Sequence, residues 1–295
     1  MLYWIAFVNW VKETHTIDPK RLIVATRGGA GFYYRVPEGI ECYRLRTLQE
    51  IRTANTYDWL GNKSLKQVEV TDFDRELIQG ASYDLRQSFE VGVNVLSPAT
   101  MFQAFHGAWH GTGPVADLYN HVKFAKLPVP PWPTGVPKPT APYTVVKLYS
   151  RATLPHTGYS CYWARRTVQR LCERGPVIVM APPDVTDDHL TFSLADAIGR
   201  RLEHPNLTWV TDAITLDDSL AIQGALIGRA KQYVGTYGGM QQLAMLLGIP
   251  SVGFYSKWEG TLPFHLECSQ RIARIMGLPF HVLRIGEEDK LREVV

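Results

Sequence analysis

Tyr233-Val-Gly-Thr-Tyr-Gly-Gly-Met-Gln-Gln-Leu-Ala-Met-Leu-Leu-Gly-Ile-Pro-Ser-Val-Gly-Phe-Tyr-Ser256 is the stretch on which the fold turns. Gln232 to Gly235 reads as a strand and Gly238-Gly239 as a turn. Gln241 to Leu247 reads as a helix closed by Gly248, and Ser251 to Phe254 as the next strand. Glycine lets the backbone take positive φ and come close to a ligand. A helix that starts there directs its free N–H groups and positive dipole end toward the strand's carboxyl edge. Ligands of open α/β sheets bind at that edge, and a phosphate suits it. The same glycines also fit a tight strand–helix turn with no ligand.

The alternation extends upstream. Tyr143 to Tyr149, Pro176 to Met180 and Leu207 to Val210 are short apolar strands. Tyr162 to Cys172, Leu190 to Leu202 and Ser219 to Ala230 are the helices between them. Near-continuous apolar strands alternating with helices predict a parallel sheet covered on both faces. In Thr144-Val-Val-Lys-Leu-Tyr-Ser-Arg151, Lys147 sits late in the first of these strands and Arg151 just beyond it. Period-2 alternation places Lys147 and Tyr149 on one face. Two cations opposite a helix N-terminus would neutralise a diphosphate. A snorkelling lysine and a solvated arginine are the alternative.

Residues 143–280 resemble the donor-binding domain of GT-B fold glycosyltransferases, in particular the heptosyltransferase-like group. The resemblance rests on Thr236 to Tyr255: a small polar residue, glycine, Met, Leu-Ala, a Leu-Gly-x-Pro turn and an aromatic-ended strand. It implies that Thr236, Tyr237, Gly238, Gly239, Met240 and Gln241 line the diphosphate of a sugar nucleotide, with Lys147 and Arg151 beside them. It further implies two Rossmann-like α/β domains with parallel sheets. The reaction would transfer a sugar from a nucleoside diphosphate sugar to a hydroxyl acceptor such as a glycan. The nucleotide sugar is then a co-substrate, no cofactor is held permanently, and no metal is needed. A sugar-nucleotide epimerase or hydrolase on the same fold stays open, as does a non-catalytic binding subunit.

The Pro-rich run Leu127 to Ala141, with Pro142 after it, forms neither a helix nor a central strand. It divides the chain into an acceptor-side domain (1–126), a linker (127–142) and a nucleotide-sugar-binding domain (143–295). In the first domain, Arg21 to Ala25 reads as a strand running into Arg27-Gly28-Gly29, a loop facing a ligand cleft. Ile40 to Leu45 is a second strand, 48–53 and 73–79 read as helices, and 94–121 as loop with helical pieces. Leu2, Trp4, Ile5, Val8 and Val11 give the N-terminus an apolar helical face. This domain therefore reads as lacking its first strand, and the buried aromatic helix suggests a homo-oligomer.

Other candidates carry open alternatives. His106 and His110 stand at i,i+4, yet the flanking glycines oppose a helix and no HExxH glutamate is present. Either of them, or His15, is a candidate base for the acceptor, against a surface or packing role. Asp184 follows a strand and either touches the nucleotide or forms a turn. His265 lies after the last strand read, and Glu259 is a candidate ribose ligand; both also fit structural roles.

The chain has 31 Lys+Arg and 28 Asp+Glu, a net charge of +3. Residues 1–126 hold 14 basic and 13 acidic side chains and the remainder 17 and 15, so neither half is a nucleic-acid-binding module. No apolar run reaches the ~20 residues that span a bilayer. Cys42, Cys161, Cys172 and Cys268 are widely spaced, which fits reduced thiols and a cytoplasmic protein.

Overall fold

The computed structural model describes residues 2–36, 38–41, 75–80, 83, 96–109, 112–114, 116–150, 153–181, 202–257 and 263–286. Its contacts divide the chain into two compact units. One comprises Met1–Leu2, Pro19–Tyr43 and Phe124–Val295, the other Tyr3–Asp18 and Arg44–Lys123.

The larger unit is built on a six-stranded parallel sheet. Its strands are β3 (Thr144–Lys147), β4 (Val177–Met180), β5 (Leu207–Val210), β6 (Gln232–Thr236), β7 (Ser251–Tyr255) and β8 (Phe280–Arg284). Their spatial order is β5-β4-β3-β6-β7-β8. The chain starts mid-sheet at β3, steps out to β5, then returns past β3 to build the other half. The order of the strands therefore reverses between β3 and β6, which pair with Val145 opposite Tyr233 and Lys147 opposite Gly235. This is the α/β fold expected, in the doubly wound order that places ligands at the reversal.

Burial explains the apolar strands: every residue of β3 and β4 is buried. One face carries the helix Gly158–Cys172. There Val146, Val177, Val179 and Val234 pack against Ala164, Val168 and Cys172. That helix starts four residues before the expected Tyr162. Thr157 accepts from Ser160 N (3.1 Å) and Ser160 Oγ accepts from Thr157 N (2.9 Å), a reciprocal cap. The expected helix over 190–202 lies outside the described residues. The helix Pro263–Ile275 and strand β8 are additions to the elements read from sequence. Strand β8 escapes the apolar-run criterion because it is an edge strand, half-buried and exposed along its length.

Residues 19–43 fall in the same compact unit as 124–295, rather than with 3–18 and 44–123. They contain β1 (Ile23–Thr26) paired in parallel with β2 (Glu38–Glu41). The contacts that bind them are specific. Gly28 O accepts from Leu220 N (2.8 Å) and Ala221 N (3.0 Å), capping the helix Ser219–Ile227. Tyr33 Oη donates to Leu220 O (3.0 Å). Gly28 has φ +62, and a Cβ there would lie 2.7 Å from Ser219 Oγ. The glycine loop thus seats on a helix start within its own unit.

The Pro-rich run forms no helix or strand, and it is laid down on the same unit. Leu127 N donates to Leu246 O (2.8 Å), and Arg229 Nη1 donates to Pro130 O (2.7 Å).

In the smaller unit, residues 3–14 of the helix Leu2–Thr14 bury Tyr3, Ile5, Ala6, Phe7 and Val8; of the face expected from sequence, Ile5 and Val8 are buried and Trp4 and Val11 only half-buried. Phe7 meets Phe105 edge-on at 5.9 Å, Trp10 meets His121 at 5.0 Å, and Lys123 pairs with Glu13. The helix thus finds cover inside the chain, so its burial requires no second copy. Residues 75–80 are helical, and so are Pro98–Ala104, His106–Trp109 and Ala116–Asn120. The expected helix over 48–53 lies outside the described residues. No helix among the described residues is long and apolar enough to cross a membrane.

Candidate functional site

Lys147 closes β3 at the point where the strand order reverses. It is 8% exposed. Its Nζ donates to Gln223 Oε1 at 2.6 Å and lies 5.7 Å from the centre of the Tyr149 ring. Lys147 and Tyr149 therefore share a face, as the alternation requires. Gln223 sits 3% exposed on the helix Ser219–Ile227, and its Nε2 donates to Ser219 O (3.0 Å). Sequence reading passed over Gln223. Its signal is that it is the one long polar side chain in SLAIQGALI.

Across the reversal, β6 leads into Gly238 and the helix Gly239–Leu246. Gly238 has φ 156 and ψ −154, a region open almost only to glycine. Gly239, the first helical residue, is exposed, and a Cβ there would meet nothing within 4 Å among the described residues. The first-turn N–H groups of a helix have no partner within it. Gly239, Met240 and Gln241 supply those groups here.

The side chains of the motif do different work. Thr236 is fully buried; its hydroxyl donates to Tyr149 O (2.8 Å) and accepts from Tyr149 N (3.0 Å). It ties the end of β6 to the chain leaving β3. Thr236→Val keeps the shape and strands both backbone groups, so it should cost about 2–3 kcal/mol, read by urea unfolding. Gln241 is also fully buried and turns away from the helix start: its Nε2 donates to His281 O (2.8 Å). Met240 is buried. Tyr237 is buried, with its N–H on Phe254 O (2.9 Å) and no hydrogen-bond partner for its hydroxyl among the described residues. Burial pushes that hydroxyl's pKa up to about 12. What this loop offers a ligand is chiefly backbone.

His265 lies half-buried on the helix Pro263–Ile275, where burial lowers its pKa to about 4. A histidine that titrates near 6.5 when unfolded is thus kept neutral when folded. Its contribution to stability is complete above about pH 6.5 and is lost as pH falls toward 4, by about 3 kcal/mol in all. Urea unfolding at pH 7.5 and 4.5 should show that loss, and His265→Gln should reduce it.

Arg151, Asp184, Glu259 and His110 lie outside the described residues. His15 and His106 are both exposed and belong to the smaller unit. His106 opens the short helix His106–Trp109, despite the glycines around it. Among the described residues no group of three His, Cys, Asp or Glu side chains could hold a metal ion. Cys161, Cys172 and Cys268 form no disulfide among the described residues. Burial raises the pKa of Cys172 to about 11.

Solved structures similar to this chain include two glycosyltransferases. One is KpsC of Thermosulfurimonas dismutans, a β-Kdo 2,4 transferase, at 12% identity and a TM-score of 0.29. That match covers 58% of this chain and 49% of the other. The second is the glycotransferase of kitacinnamycin, at 15% identity and a TM-score of 0.31. It covers 75% of this chain and 57% of the other, so this chain spans about half the length of both. No protein-family model and no curated protein matches the sequence.

Proposed function

We propose that the chain is a glycosyltransferase of the heptosyltransferase-like GT-B kind, transferring a sugar from a nucleoside diphosphate sugar to a hydroxyl acceptor. One observation carries the reading. A buried lysine ends β3, and a glycine-started helix follows β6, on the two sides of the sheet's reversal. In such sheets the reversal is the binding crevice.

The acceptor oxygen attacks the anomeric carbon while the bond from that carbon to the diphosphate breaks. Negative charge grows on the departing diphosphate. Lys147 and the first-turn N–H groups at Gly239 would meet that charge, and a fixed positive field held away from water is an effective catalyst. Arg151 would add a second cation, and Asp184 and His265 would contact nucleotide or sugar. The field needs no metal, so activity is expected to survive EDTA. A base in the protein must take the acceptor's proton, and His15, His106 and His110 are the candidates. Cysteines outside disulfides fit work in the cytoplasm.

The test is an incubation with UDP-, GDP-, ADP-, TDP- and CMP-sugars, with and without a set of mono- and oligosaccharide acceptors, followed by chromatography of released nucleotide. Release that depends on an acceptor is expected. Release or donor conversion without acceptor would make the chain a hydrolase or epimerase. No turnover of any donor would remove the transferase reading.

A further inference from the structure

We infer that Gln223 is a positioning residue for the phosphate site, holding the Lys147 ammonium in place while leaving its charge intact. This rests on the phosphate reading above.

A lysine stem has four rotatable carbons, and fixing it costs about 2 kcal/mol of rotamer freedom. Something must hold the ammonium if it is to meet a ligand in one geometry. Gln223 Oε1 does so at 2.6 Å, a short bond of the charge-assisted kind. The amide is itself fixed, because Nε2 donates one turn back to Ser219 O. That bond sets which end of the amide faces the lysine, since an ammonium is a donor only. Ser219 in turn opens the helix that Gly28 O caps.

The chemical type of the partner matters as much as its position. A carboxylate at 223 would also hold the ammonium, but would cancel the charge that an incoming phosphate needs. An amide oxygen orients without neutralising. The cost of placing a long polar side chain in an otherwise apolar buried helix points the same way. Leucine would serve that helix better if packing were the whole purpose.

The experiment is calorimetric titration of the full chain with UDP, GDP, ADP, TDP and inorganic pyrophosphate. It compares wild type, Gln223→Leu, Gln223→Glu, Lys147→Met and the Lys147→Met/Gln223→Leu double variant, each checked for folding by its melting temperature. Gln223→Leu should weaken the anion that wild type binds by about tenfold. Gln223→Glu should weaken it more, although its ion pair with Lys147 supports the fold. In the Lys147→Met background, Gln223→Leu should change affinity less than twofold. A purely structural Gln223 gives another pattern: lowered melting temperature with affinity unchanged in Gln223→Leu, or the same affinity loss with and without Lys147. Either result overturns the inference while leaving the phosphate site standing. If wild type binds none of the five anions, the phosphate reading fails and the inference falls with it.

Discussion

Gly235→Ala should destabilise the sheet unit by about 3 kcal/mol or more. Gly235 lies in β6, a central strand, opposite Lys147 in β3. A Cβ there would stand 2.3 Å from Lys147 O and 2.3 Å from Tyr233 Oη. The first is a backbone atom of the paired strand and cannot swing aside. The second belongs to a fully buried tyrosine with no space to retreat. β6 and β3 must therefore separate locally, which also displaces the end of β3 that carries Lys147. Urea unfolding measures the cost. A loss below 1 kcal/mol would mean that the two strands are not packed this closely.

Lys147→Met should do the reverse, leaving the fold and removing the ligand. Methionine nearly matches the lysine stem in length and relieves the burial of a charge. Against this, Gln223 Oε1 loses its partner, a penalty of about 1–3 kcal/mol for a buried acceptor. The two effects oppose each other, so net stability should move by less than about 2 kcal/mol. Diphosphate affinity, in contrast, should fall on the order of 100-fold, the scale for removing a charged partner from a desolvated contact. Pairing Lys147→Met with Gln223→Leu removes the stranded amide as well, and the double variant should be at least as stable as wild type. A lysine kept only for the fold would show the opposite profile: a large stability loss and unchanged affinity.

The sheet was legible because burial on both faces leaves little choice of residue. Val145, Val146, Val177, Ile178 and Val179 are almost completely buried, and their apolar runs announce β3 and β4. β8 carries no such mark, since an edge strand tolerates His281 and Arg284 among its apolar residues. The course of residues 19–43 was also hidden. Its packing partners are nearly 200 positions away, and local pattern holds no record of Tyr33 meeting Leu220.

The site was half legible, for a related reason. A buried polar side chain must find a partner, but sequence does not say whether that partner is a ligand or the protein's own backbone. Thr236 and Gln241 look like ligand contacts in the motif, yet Tyr149 engages the Thr236 hydroxyl and His281 O accepts from the Gln241 amide nitrogen. The places of Lys147 at the end of β3 and of the Gly238-Gly239 turn after β6 are legible because a late-strand cation and a pair of glycines stand out in an apolar pattern. Gln223 carries no charge to mark it, although an isolated amide in an apolar helix is as telling.

The most direct test of the phosphate site is the melting temperature of the wild-type chain with UDP, GDP, ADP, TDP and CMP in turn. A nucleotide present at 100 times its dissociation constant should stabilise the fold by about 2.7 kcal/mol, which is readily visible. One nucleoside diphosphate is expected to raise the melting temperature, and that shift should vanish in Lys147→Met. A well-folded wild type that none of the five stabilises would contradict a nucleotide site at the reversal between β3 and β6.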